Sequence, residues 1–159
     1  MSVTIASNEN ITVKTGLMQN LNAMLKNAPK AQYWLDGQVM NDCVPLMPMN
    51  TGAFIAQTRQ VSASLQGTGK VCVAAGVQGR YLYEGKVMVD AQTGKGAAPI
   101  TLNTGEIIFR HRLGAKLMPT ARPLTYTNPN AVPHWFDEAK KQHLQEWQQG
   151  AVNIIRGNI

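Results

Sequence analysis

The chain is poor in charged and in aromatic side chains. Charged residues make up 15% of its 159 residues and aromatic residues 6%, whereas about a quarter of the residues of an ordinary globular protein are charged. Asn, Gln, Thr and Ser take much of the place that charges would otherwise have on the surface. Such a surface suits a protein that hides much of itself in an assembly, and it suits a polar monomer equally well.

The sequence also lacks long apolar runs and is low in cysteine. No apolar segment approaches the length that spans a bilayer, and residues 1–5 lack the charged and apolar regions of a secretion signal. The two cysteines, Cys43 and Cys72, favour buried free thiols in a reducing compartment, with a single disulfide as the alternative. We therefore expect a soluble protein that is made in a cytoplasm and does not enter a membrane.

Residues that could carry catalysis or hold a metal are not grouped. The three histidines, His111, His134 and His143, form no ligand pattern with one another or with the cysteines. No nucleophile and base occur at a spacing that suggests a pair. The glycines beside Lys95 lack the Gly-Lys-Ser/Thr ending of a phosphate-binding loop. The sequence therefore predicts a protein that is not an enzyme, with no cofactor and no metal.

The net charge of +6 is concentrated in the middle of the chain. Residues 59–122 hold nine basic and three acidic side chains, and the rest of the chain is balanced at six of each. A basic patch attracts polyanions such as nucleic acid, although scattered charges are more often a solvated surface. Contact with DNA is therefore one interpretation of this region.

The N-terminal part is predicted to form three helices after a brief strand at residues 11–13. Apolar residues at helical spacing follow Thr15, a candidate N-cap. Pro29 should end this first helix and start a second, so that the two form a bent pair that stops before Pro45. A third, short helix is expected to end at Gln57.

Strands and loops are predicted for the middle of the chain. Alternating side chains and a glycine-rich turn predict a hairpin of residues 61–65 and 70–75, and residues 86–90 should form another strand. Glycines and prolines punctuate residues 91–130. We therefore expect a long loop or hairpin excursion there, serving function, with one short hairpin around residues 106–110.

The last predicted element is a helix that starts at Pro133 and has a large apolar side. Gly150 should weaken its middle, so that the residues beyond it fray or bend away.

Three separated pieces, taken in order, carry a family resemblance. The first is Pro-Met-Asn-Thr-Gly at residues 48–52, and the second is Gly-Arg-Tyr-Leu-Tyr-Glu-Gly-Lys-Val-Met-Val-Asp at residues 79–90. The third joins Pro-Leu-Thr-Tyr at residues 123–126 to His-Trp-Phe-Asp-Glu at residues 134–138 and to Trp147. Together they resemble the minor capsid or neck proteins of tailed bacteriophages of Gram-positive hosts, which join the head to the tail or complete the tail.

The resemblance implies a fold and a role for a single domain of residues 1–159. The fold is α+β, with N-terminal helices, an antiparallel β-sheet carrying the excursion of residues 91–130, and a C-terminal helix packed on the sheet. The role is structural, as a ring of most often six copies in the virion neck, after synthesis in the cytoplasm of a bacterial host. Its partners would be the portal-side adaptor or stopper and the tail terminator or tail tube.

Residues in and around these pieces also stand out, some by their own chemistry and some by the resemblance. In the second piece, two tyrosines next to a strand should form a recognition edge, and the Thr-Gly turn of the first piece should have a positive φ. The motif residues expected to hold the fold or an interface are Pro48, Thr51, Gly52, Tyr81, Tyr83, Gly85, Trp135, Phe136 and Trp147. Candidates for contact with a neighbouring ring, or with packaged DNA in the lumen, are Lys95, Arg110, Arg112 and Lys116. The alternative function is a standalone basic DNA-binding protein of phage or prophage origin.

Overall fold

The computed structural model describes residues 4–5, 11–12 and 15–158, with side chains from residue 23 onward apart from Val77. Helices and antiparallel strands occur together, which confirms the predicted α+β class. In chain order the elements are β1 (Thr4–Ile5), β2 (Ile11–Thr12), α1 (Thr15–Cys43), a 3-10 turn (Val44–Leu46), α2 (Ala53–Leu65), α3 (Gly76–Glu84), β3 (Lys86–Asp90), β4 (Ala98–Thr101), β5 (Ile107–Arg110), β6 (Leu117–Pro123) and α4 (Trp135–Arg156).

The N-terminal predictions fall partly outside the described residues. β2 pairs antiparallel with β1, in agreement with the strand expected at residues 11–13. α1 begins at Thr15, but the side chain of this residue lies outside the described part, so its capping role stays a prediction.

The predicted break at Pro29 is wrong, because α1 runs unbroken across this residue. A proline inside a helix removes a backbone hydrogen bond and costs about 3 kcal/mol. Contacts with α4 on both sides of the proline help to offset that cost. Asn27 donates a hydrogen bond to the backbone of α4 at 3.4 Å, and the Trp34 ring lies against Gly150. Tertiary packing therefore outweighs the tendency of Pro29 to end the helix.

The hairpin predicted for residues 61–65 and 70–75 is also wrong. α2 continues through the first of these segments, beyond the end expected at Gln57. Its buried residues recur at helical spacing: Phe54, Ile55, Thr58 and Ser62. Residues 70–75 form no ladder; the Ala75 N–H donates to the Thr58 hydroxyl at 3.1 Å. A five-residue alternation fits a helix as well as a strand, and the apolar face of the preceding turns decides between them.

The described strands form three separate two-stranded antiparallel ribbons rather than one sheet. β3, which is predicted correctly, pairs with β6 with an irregularity between Lys86 and Met88. β4 pairs with β5, which confirms the short hairpin expected around residues 106–110. β6 lies within the excursion predicted for residues 91–130 and pairs with β3, so the segment that this ribbon closes is residues 91–116.

The C-terminal helix packs on α1, not on a sheet. α4 runs antiparallel to α1, and it begins at Trp135, two residues after the predicted start. It continues through Gly150 without a break. Two-stranded ribbons offer little apolar face for a helix, whereas α1 offers a long one. The core they share with α2 consists of Val39, Met40, Cys43, Met47, Phe54, Ile55, Trp135, Ala139 and Trp147.

Both cysteines are free, as predicted. Cys43 is fully buried in this core and Cys72 is half-buried. Burial, with a smaller contribution from the charge of Asp42, raises the pKa of the Cys43 thiol to about 12. The Cys43 thiol is therefore a packing group without nucleophilic character.

Candidate assembly surface

The Pro-Met-Asn-Thr-Gly turn of residues 48–52 is clamped by the segment just before α4. Asn128 donates one side-chain hydrogen bond to the carbonyl of Met47 at 2.8 Å and one to that of Pro45 at 3.1 Å. The Thr127 hydroxyl donates to the carbonyl of Met49. Within the turn Gly52 has φ 81°, the positive value that the sequence predicts. The turn is thus held by residues about eighty positions away in the sequence.

Tyr83 is half-buried and packs against the start of α4. It belongs to α3, and its ring packs edge to face on Trp135 and His134, with centroids 4.8 and 4.9 Å away. The His134 N–H donates to the Tyr83 carbonyl at 2.9 Å. Tyr81, half-buried on the same helix, lies edge to face with His111. Both tyrosines therefore lie on α3 and contact rings of the same chain, while their part in a recognition edge next to β3 stays a prediction.

Gly85 ends α3 where a side chain would not fit. Its φ is 65°, and a Cβ at this position would come within 2.6 Å of the Pro133 ring. The Tyr126 hydroxyl donates to the carbonyl of Leu82, one turn earlier, at 2.6 Å. Burial raises the pKa of Tyr126, which keeps this hydroxyl protonated as a donor. The second and third sequence pieces therefore meet here, beside the first.

Three aromatic residues of α4 close the chain's own core. Trp135 is fully buried and donates from its indole N–H to the carbonyl of Val73 at 2.9 Å. Phe136 stacks on Trp147, with centroids 6.4 Å apart, and the Trp147 indole N–H donates to Asp42 of α1 at 2.7 Å. Among the residues predicted for fold or interface, these three serve internal packing.

β4, β5 and the turn between them, residues 98–110, project from this core, and we call them the arm. Every residue of the arm is exposed except Ile108, which is half-buried. Large apolar side chains stand in solvent, with Ile107 61% and Phe109 70% exposed. Leu113, just after the arm, is 98% exposed. A surface with this many exposed apolar groups is typical of an interaction site.

The base of the arm is fixed by a buried carboxylate. Asp90, only 3% exposed, accepts a hydrogen bond from Arg112 Nε at 3.0 Å and another from the Gln92 N–H at 2.9 Å. Arg112 Nη2 donates to the Gln92 side chain at 2.7 Å. The two hydrogen bonds that Asp90 accepts, from Arg112 as the larger cause and from the Gln92 N–H, hold the pKa of Asp90 below its usual range. Arg112, a predicted contact candidate, therefore also braces the arm internally.

The other three contact candidates surround the arm with exposed positive charge. Lys95 and Lys116 lie on the two segments that lead into and out of the arm, and Arg110 ends β5. Among the residues that the structure describes, no acidic side chain lies within 4.0 Å of these three cations. They are available to a partner that carries negative charge.

Sequence reasoning missed several residues that organise this surface. Asn128 precedes a proline in a turn-forming pattern, a signal that marks the turn but not its distant partners. Asp90 looks like one scattered acid until β6 brings Arg112 beside it. His134 has φ 52°, the one non-glycine residue with positive φ in the described chain, and nothing in its sequence context indicates this.

Groups that would support other functions are not assembled in the described part of the chain. No three His, Cys, Asp or Glu side chains there lie close enough to hold a metal ion. No described helix combines the length and the apolar character that crossing a bilayer requires.

Comparison of the chain with models of protein families, with curated proteins and with solved structures finds no match in any of the three. The family resemblance rests on the three sequence pieces alone.

Proposed function

We propose that the protein is a structural subunit of a tailed-phage neck, where copies form a ring that joins the DNA-filled head to the tail tube. The observation that supports this most directly is the meeting of the three resembling pieces at one junction. Thr127, next to the third piece, bonds to Met49 of the 48–52 turn, and the end of α3 packs through Tyr83 and Gly85 on Trp135 and Pro133, although these segments are far apart in sequence. Sequence pieces that define a fold shared with the phage neck proteins should contact one another, because residues that hold a fold together act by packing.

Assembly, rather than catalysis, is the mechanism that we propose. The core of α1, α2 and α4 buries its own large side chains, whereas the arm leaves Ile107 and Phe109 in solvent. In a ring, such groups would be buried against another protein, which is a favourable use of apolar area. The proposed partners are further copies of this chain, the portal-side adaptor or stopper, and the tail terminator or tail tube protein.

Neighbouring proteins are better partners for the basic residues than the packaged genome is. Arg112 already pairs with Asp90, so the candidates for phosphate contact reduce to Lys95, Arg110 and Lys116. Each phosphate contact strengthens binding, and DNA must slide freely through a neck. Few exposed cations next to apolar groups suit a protein interface with a charged rim.

The test is the composition and the joining of particles in a phage that encodes this chain. We expect the protein in purified particles by mass spectrometry. We also expect its inactivated gene to give DNA-filled heads and separate tails by electron microscopy, with joining restored by the wild-type gene supplied in trans. Joined, infectious particles that lack the protein would refute the proposal.

A standalone DNA-binding protein remains the second candidate because three cations around the arm have no acidic partner within 4.0 Å in the described part of the chain. Electrophoretic mobility shifts at several salt concentrations separate the two functions. A neck subunit should shift duplex DNA weakly, and only at low salt. Tight binding by a monomer, with a steep dependence on salt, would favour the second candidate.

A further inference from the structure

The free edge of β5 carries backbone groups that the arm leaves unpaired. β4 and β5 pair Pro99 with Phe109 and Thr101 with Ile107. The Leu102 N–H donates to the carbonyl of Glu106 at 2.8 Å, so that this next pair is a hydrogen-bonded one. Because hydrogen-bonded and non-hydrogen-bonded pairs alternate along an antiparallel ladder, Ile107 and Phe109 direct their N–H and C=O groups outward.

Among strands β3 to β6, the other edges are protected and this one is not. Pro99 stands at an outward-facing position of β4, and Pro119 and Pro123 lie in β6. Proline lacks the N–H that a further strand would need, so it blocks edge-to-edge pairing. β3 is buried at Met88 and Asp90 and half-buried at Val87 and Val89. β5 has the sequence Ile-Ile-Phe-Arg, without proline, and it retains every donor.

We propose that β5 pairs antiparallel with β5 of a second copy of this chain, around a two-fold axis at Ile108. In this register Ile107 lies opposite Phe109 of the second copy, and the reverse pair forms as well. Both outward residues of each strand are then hydrogen-bonded, which gives four backbone hydrogen bonds by the alternation of an antiparallel ladder. If one strand were shifted by two residues relative to the other, one of the two hydrogen-bonded pairs would no longer lie within β5.

Charge complementarity selects the same register. Glu106 precedes the strand and Arg110 ends it. With Ile108 on the axis, Glu106 lies directly opposite Arg110 of the second copy, at both ends of the contact. Opposite charges facing each other across strands stabilise a pairing, and like charges destabilise it. The segment of residues 106–110 is therefore complementary to itself when it is turned end to end.

The pairing also covers the apolar side chains. Ile107 and Phe109 of both copies lie on one face of the resulting four-stranded sheet, where a β-branched residue faces an aromatic one, a favourable cross-strand pair. An isolated two-stranded hairpin is marginally stable, and more strands with an apolar face are more stable. The outer edges of the new sheet are β4 edges with Pro99, so the pairing stops at two copies.

This inference goes beyond the neck ring and does not depend on it. A two-fold contact joins two copies and does not close a ring of six, which needs a contact between different surfaces. Failure of the pairing would therefore leave the proposed function standing, and absence of the protein from particles would leave the pairing untouched.

Sedimentation of the purified full chain over a range of concentrations tests the pairing. We expect a monomer–dimer equilibrium for the wild type. The matched variants are Ile107→Pro and Thr101→Pro, which stand opposite each other and each remove one outward N–H without removing a hydrogen bond of the arm. I107P should be monomeric, and T101P should dimerise as the wild type does. A wild type that stays monomeric, or an equal effect of the two prolines, would overturn the proposal.

Charge reversal tests the register and needs no proline. E106R alone, and R110E alone, each place like charges opposite each other at both ends and should weaken the dimer roughly tenfold. The double variant E106R/R110E restores opposite charges and should recover wild-type dimerisation. A double variant as weak as the single ones would show that the strands meet in another register, or not at all.

Discussion

The α1–α4 core and the arm use the same kinds of side chain in opposite ways. Trp135 in the core is 0% exposed and has its indole N–H satisfied, whereas Phe109 in the arm is 70% exposed. The side chains of the core therefore stabilise the isolated chain by packing against one another. The apolar residues of the arm contribute little to the isolated chain, and their chemistry suits contacts with other molecules.

Asp90 marks the boundary between these two regions. It ends β3, which belongs to the ribbon at the base, and its carboxylate holds Gln92 and Arg112 on the two segments that lead into and out of the arm. Such a brace fixes the direction of the arm without burying its apolar side chains. If the two regions are as different as their exposures indicate, substitutions in each should have very different effects.

The largest effect is expected for Trp135→Ala. Truncating this buried ring leaves a cavity among Phe54, Tyr83 and the surrounding core, and removes the hydrogen bond to Val73. We expect the free energy of unfolding to fall by about 3–5 kcal/mol, measured by urea denaturation. Trp135→Phe keeps most of the volume and should lose less. A loss below about 1 kcal/mol in the alanine variant would contradict the assignment of Trp135 to the core.

A smaller loss is expected for Gly150→Ala, although alanine normally stabilises a helix relative to glycine by about 1 kcal/mol. A Cβ at residue 150 would come within 2.7 Å of Cζ3 of Trp34 and would push the two helices apart. Overpacking of this kind costs about 1–3 kcal/mol. The matched control is Gly96→Ala, just before the arm, where nothing lies within 4 Å. Thermal unfolding of the two variants should differ, and a stabilised G150A would show that the helices do not meet closely there.

Sequence patterns predicted the elements whose signal is local. The strand at residues 86–90, the hairpin around residues 106–110 and the positive φ of Gly52 were all predicted from nearby residues. The predictions at Pro29 and at residues 61–65 failed because contacts with distant parts of the chain decide both structures. A local breaker or a short alternation cannot indicate what α4 will pack against.

The same distinction applies to the candidate surface. The basic residues Lys95, Arg110 and Lys116 could be picked out from the sequence because their charge needs no partner to be noticed. The brace of Asp90 and Arg112 spans 22 positions, and only the pairing of β3 with β6 brings them together. The outward edge of β5 depends on hydrogen-bond alternation, which requires the strand register.

A local loosening without loss of global stability is expected for Asp90→Asn. The amide replaces a charged acceptor, so the hydrogen bond from Arg112 weakens and amide hydrogen exchange should speed up in residues 91–112. Exchange in α1 and α4 should not change. Glu106→Gln, at the far end of the arm, is the matched control and should leave exchange at the base as it is. Equal protection in the wild type and D90N would show that the brace does not fix the arm.

The same brace makes a pH-dependent prediction for the wild type. The pKa of folded Asp90 lies below that of the unfolded chain, so its stabilisation is present above the unfolded pKa and is lost as pH falls through the folded one. The Gln92 amide resonance, which reports on the hydrogen bond to Asp90, should therefore titrate at a lower pH than an exposed aspartate does. Titration at the ordinary pH of an aspartate would contradict the brace.

The smallest effect is expected for Phe109→Thr, which replaces the single aromatic ring of the arm with another residue that favours strands. At concentrations low enough to keep the chain monomeric, the free energy of unfolding should change by less than about 0.5 kcal/mol, as for other surface substitutions. Set beside W135A in the same urea experiment, this variant measures directly how differently the two regions use an aromatic ring. A fall of about 2 kcal/mol or more in the free energy of unfolding would mean that Phe109 is buried in the isolated chain, because a large apolar side chain contributes that much only when it is buried.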